Sequence, residues 1–188
     1  MGTPCYTAFS AGHLLAAGPL DGVLRAVKAR YDAGDTELLV FADATGREED
    51  FDLRGPLADV LARAAPAPER KGPGRPRLGV VAREVTLLPR HWDWLEAQPS
   101  GISAALRRLV EAEIKRDPAG ERARRAAAAT HRVMTGLAGD LSGYEEAARA
   151  LFAHDGDAFA ERVAAWPEDV RAYLERLSAP AFAVAAAR

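Results

Sequence analysis

Apolar positions change period repeatedly along the first third of this chain, and from the middle onwards they hold helical spacing. Residues 6–17 alternate weakly and reverse at Ala11-Gly12, which predicts a short hairpin closed by Gly18-Pro19. Val23, Leu24, Val27 and Tyr31 then recur at helical spacing until Gly34 supplies a stop. The apolar run Leu38–Phe41 and the alternating Phe51-Asp52-Leu53 flank the turn-like Asp43-Ala44-Thr45-Gly46, which predicts a second hairpin. Leu57, Val60 and Leu61 begin another helix, which must end before Pro66. Residues 1–65 therefore predict a small ββαββα unit.

Residues 66–77 hold Pro66, Pro68, Pro73, Gly72 and Gly74 among charged side chains. Too few apolar groups are present to offset the entropy of ordering, so this stretch predicts a flexible linker. Val80–Leu88 predicts one strand, and Pro89 suits the first position of a helix running to about Gln98. After the turn Pro99-Ser100-Gly101, the residues Ile102, Ala105, Leu106, Leu109, Val110 and Ile114 follow the spacing of an amphipathic helix. Residues 78–117 thus form a strand-helix-helix unit. Residues 118–188 predict helices only. Ser142-Gly-Tyr-Glu145 has capping-box spacing, Asp157 is placed to cap a third helix, and Pro167 to open a fourth. The fold class is α+β, in three structured regions joined through one basic linker.

Charge changes this picture more than composition does. With 48% hydrophobic and 28% charged residues the chain has the composition of an ordinary folded protein. Its net charge of −2 conceals a segregated distribution. Residues 69–90 carry six basic and two acidic side chains, whereas residues 1–68 carry six basic and ten acidic ones. A concentrated positive stretch points to a polyanionic partner. No apolar run approaches the ~20 residues of a membrane span, and the N-terminus lacks a secretory pattern. Cys5 is the single cysteine, so an internal disulfide is excluded and a cytoplasmic location is expected.

The order strand, Pro-started helix, tight turn and amphipathic helix over Arg83–Lys115 resembles the ribbon-helix-helix DNA-binding fold. That resemblance implies a homodimer in which two strands pair into a ribbon lying in the major groove. Val85, Leu87, Trp92, Leu95, Leu106 and Leu109 would form the dimer core. Arg83, Thr86 and Arg90 would face DNA, and Ser103 at the start of the second helix would meet a phosphate. Unpaired strand groups need a partner, and the first N–H groups of a helix favour anions, so elementary physics agrees. Two strand registers remain open. One directs Val85 and Leu87 to the core, and the other exposes them together with Arg83. Neither offers the side chains that usually pair with base edges.

Gly74-Arg75-Pro76-Arg77 resembles the core of an AT-hook, which implies that Arg75 and Arg77 enter an A·T-rich minor groove. Arg70 and Lys71 would neutralise neighbouring phosphates. The whole chain also resembles a bacterial family of unknown function built around Leu78–Leu95, a resemblance that confers no activity. The histidines His13, His91, His131 and His154 lack metal-ligand spacing, and no phosphate-binding loop or nucleophile motif is present. The expectation is therefore a non-enzymatic, cofactor-free homodimer that binds DNA as a regulator or nucleoid-associated factor. The alternative is a protein-interaction module whose strand pairs with a different partner.

Overall fold

A computed structural model describes residues 5–65 and 81–183. The chain divides into two compact units, one formed by residues 1–65 with 119–188 and the other by residues 66–118. The first unit opens with β1 (Cys5–Ser10) and β2 (His13–Pro19), which turn over at Ala11 and Gly12, both at positive φ. Then come α1 (Leu20–Asp32), β3 (Leu38–Ala42), the two-residue β4 (Arg47–Glu48) and α2 (Leu57–Ala64). The predicted ββαββα order is present. The strands form one antiparallel sheet in the order β2-β1-β3-β4.

Both faces of the sheet are covered, which explains why Thr7, Ala8, Phe9 and Ser10 are buried in succession. Ala8 and Val40 are directly paired and meet Val23 and Val27 of α1 on one face. The paired Thr7 and Phe41 lie on the other face, together with Phe9. There Phe9 and Phe41 enter the core of the C-terminal helices α5 (Pro118–Ala138), α6 (Tyr144–Phe152), α7 (Gly156–Val163) and α8 (Glu168–Phe182). Phe9 lies 5.4 Å from the Tyr173 ring, centroid to centroid. Residues 1–65 are therefore not a self-contained domain, and residues 118–188 are not a separate helical one. A sheet with two apolar faces needs a helical layer on each.

Other local expectations are corrected by specific bonds. Phe51 and Leu53 pack beside the α1 core but are not in a strand. Asp52 between them instead accepts from the Arg54 backbone N–H at 3.2 Å, while Arg63 donates to the carbonyls of Asp52 and Arg54. The Arg54 guanidinium and backbone N–H hold the Asp52 carboxyl down at about 2. The Ser142 capping box does not form. Gly143 occupies the cap in the left-handed region, and the Ser142 carbonyl accepts from Trp166 Nε1 at 2.9 Å. Asp155, not Asp157, caps α7 by accepting from the Ala158 N–H at 3.0 Å.

A polar cluster ties the end of the sheet to α8. Asp43 Oδ1 accepts from Thr7 Oγ1 at 2.8 Å and from the Tyr173 hydroxyl at 3.0 Å. Asp43 Oδ2 accepts from Arg176 Nη1 at 2.9 Å, and Arg176 Nη2 donates to Thr7 Oγ1 at 3.1 Å. Burial and the adjacent Asp43 carboxylate push the Tyr173 hydroxyl well above its ordinary range, so it remains a donor.

Candidate nucleic-acid interface

The second unit is built from little. Residues 81–88 form no strand, because the sheet belongs to the other unit and no second strand lies beside them among the described residues. The predicted strand Val80–Leu88 thus has no paired partner among the described residues, and its first residue lies outside them. Leu88 is extended, and Pro89 begins α3 (Pro89–Glu96), where its missing N–H costs no helical bond. Gly101 makes the turn into α4 (Ile102–Arg116) at φ 75° and ψ 160°, a conformation that suits glycine. The Gly101 N–H donates to the Gln98 carbonyl at 3.0 Å, and Gln98 Nε2 donates to the Trp94 carbonyl at 3.1 Å.

Between them the two helices bury only Leu95 and Ala105. Beside these two residues opens a groove of about 470 Å³, lined by Leu87, Arg90, His91, Trp94, Leu95, Leu106 and Leu109. Val81, Val85, Leu88, Trp94 and Leu109 are exposed, Val85 by 57%. A second hollow, about 500 Å³ and open, lies at the start of α4, lined by Glu96, Ser100–Ala104 and Arg107. The first N–H groups of α4 lack intrahelical acceptors, and no side chain caps them.

Several predicted residues meet here. Leu87, Leu95, Leu106 and Leu109 line the apolar groove together, whereas Val85 is exposed outside it. Leu87 and Val85 thus lie in different surroundings two positions apart, and with no strand formed at 81–88 neither register is expressed. Trp92 is half-buried but does not line the groove; Trp94, absent from the predicted set, does. Helical spacing places residues 92 and 95 together, but the groove runs along the neighbouring face of α3, and only its exposed position reveals Trp94. Arg83, Thr86, Arg90 and Ser103 are all exposed, Arg90 at the groove and Ser103 at the hollow. Arg70, Lys71, Arg75 and Arg77 lie outside the described residues, as does the whole Gly74–Arg77 motif.

Among the described residues no group of three or more His, Cys, Asp or Glu side chains is arranged to hold a metal ion. No helix among them is long and apolar enough to cross a membrane. Residues 5–178 match the model of a family described as an uncharacterized protein conserved in bacteria, DUF2239. No curated protein and no solved structure matches the chain.

Proposed function

The chain belongs to the bacterial family DUF2239, and we propose that it is a DNA-binding protein that acts as a homodimer through residues 78–117. The observation that carries this reading is the apolar groove beside residues 81–88, which pair with no strand among the described residues. A second copy would supply a strand to pair with residues 81–88 and apolar side chains for Leu87, Trp94 and Leu109. The dimer would bring two copies of Arg83, Arg90 and the basic tether to one face. The tether residues Arg75 and Arg77 would enter an A·T minor groove, while Arg70, Lys71 and the N–H groups at Ser103 would meet phosphates.

One observation favours a different reading. Residues 81–118 carry six basic and six acidic side chains, so this part is neutral and polyanion recognition falls mainly on the tether. A non-enzymatic protein-interaction module would present the same groove with no need of excess positive charge.

Titrating A·T-rich and G·C-rich duplexes at two salt concentrations separates the two. The parent protein is expected to bind duplex, with each phosphate contact contributing roughly −0.9 to the slope of log affinity against log salt. Arg75→Ala with Arg77→Ala should lower affinity chiefly on A·T-rich duplexes. Arg70→Ala with Lys71→Ala should flatten the slope on every duplex. No binding by the parent at low salt would leave the interaction module standing.

A further inference from the structure

The apolar groove of the second unit has one charged end. Along α3 its walls are Arg90 and His91 in the first turn, then Trp94 and Leu95 one turn further on, at i+4 from each. Leu87, Leu106 and Leu109 complete the lining, so everything beyond that first turn is apolar. Among the described residues no acidic side chain lines the groove, Asp93 and Glu96 of α3 included. Its volume of about 470 Å³ is that of a small-molecule site, and such sites are mostly apolar with a few polar groups that fix orientation.

The charge of Arg90 is unanswered among the described residues. Its Nε donates to His91 Nε2 at 3.4 Å, a long contact, and no carboxylate pairs with it. The first turn of α3 adds the positive end of the helix dipole. A guanidinium holds a planar carboxylate through two parallel N–H···O bonds. One guanidinium balances a single negative charge, whereas a phosphate monoester carries nearly two.

We propose that the groove binds a free apolar monocarboxylic acid, with its tail along Trp94, Leu95, Leu106 and Leu109 and its carboxylate at Arg90. A groove of this volume takes one acyl chain or one fused-ring system, not the paired chains of a bilayer lipid. The ligand site stands on the groove alone, but its consequence for assembly rests on the homodimer proposed above. Leu87, Trp94 and Leu109 are the side chains that a second copy would cover, and Arg90 is among those that would face DNA. A bound acid fills the groove and neutralises Arg90, so it opposes dimerisation and DNA binding together.

The test titrates decanoate and decanol calorimetrically into the full-length protein. Decanoate should bind about tenfold or more tightly than decanol, the neutral probe of the same length. Arg90→Gln should weaken decanoate by about tenfold and leave decanol unchanged, whereas Trp94→Ala should weaken both. Both side chains are exposed, and circular dichroism checks that each variant folds. In sedimentation velocity, decanoate at about ten times its own dissociation constant should raise the dimer dissociation constant about a hundredfold, because each protomer must release one ligand to pair. No binding of decanoate below about 1 mM, equal binding of decanol, or an Arg90→Gln variant that binds decanoate like the parent overturns the site. Decanoate bound as expected by a parent that is monomeric at every concentration leaves the site standing and overturns the homodimer.

Discussion

Gly46→Ala is expected to destabilise the protein by ~4 kcal/mol, a large fraction of the ~5–15 kcal/mol of a typical domain. Gly46 is buried in the turn between β3 and β4, at φ 63°. A Cβ there would stand 2.0 Å from the Ala129 carbonyl oxygen and 2.8 Å from the Ala129 Cα. Those are backbone atoms of α5, so no side-chain rotation relieves the clash. The sheet would have to lift from the helix, with the Thr45 carbonyl losing the bond it accepts from Arg132 at 2.6 Å. Overpacking contributes roughly 1–3 kcal/mol, and the left-handed backbone about another 1. Chemical denaturation monitored by circular dichroism measures the effect, and an unchanged midpoint would show that the turn does not rest on α5.

The second large effect concerns Asp43. Asp43→Ala removes the acceptor of Thr7, Tyr173 and Arg176 together. Thr7 and Tyr173 are buried, so their hydroxyls would lose a partner that water cannot readily replace. At roughly 1–3 kcal/mol for each buried polar group left unpaired, the expected loss is ~3 kcal/mol. Asp43→Asn keeps a carbonyl oxygen for the two hydroxyls and loses the charge facing Arg176, itself half in solvent. It should cost only about 1 kcal/mol. The ratio between the two variants is the informative result. Equal losses would mean that the ion pair, rather than the hydroxyl bonds, holds α8 to the sheet.

The order of elements was legible wherever local chemistry decides it. Ala11-Gly12 turns the first hairpin, Gly34 follows α1, and Pro89 begins α3, because each position needs a particular backbone conformation. What stayed hidden depends on contacts between distant residues. Nothing near Phe9 or Phe41 announces that both rings meet Tyr173, more than one hundred and thirty positions onward. The alanine-rich α5 reads as an autonomous helix because alanine has high helix propensity yet specifies no partner. The alternation of Phe51-Asp52-Leu53 imitates a strand, but Asp52 turns the backbone through its own side chain. The groove was legible in part. Leu87, Leu95, Leu106 and Leu109 follow from period, while Trp94 shows its place only in the groove itself.

Homodimerisation through residues 78–117, proposed above, is tested most directly by the mass in solution. Sedimentation equilibrium at micromolar concentration should return twice the mass of one chain. Val85→Pro should bring it down to a single chain, because proline removes a ladder hydrogen bond from the exposed segment 81–88 and disturbs no described helix. A parent protein with the mass of one chain at all concentrations would contradict the account.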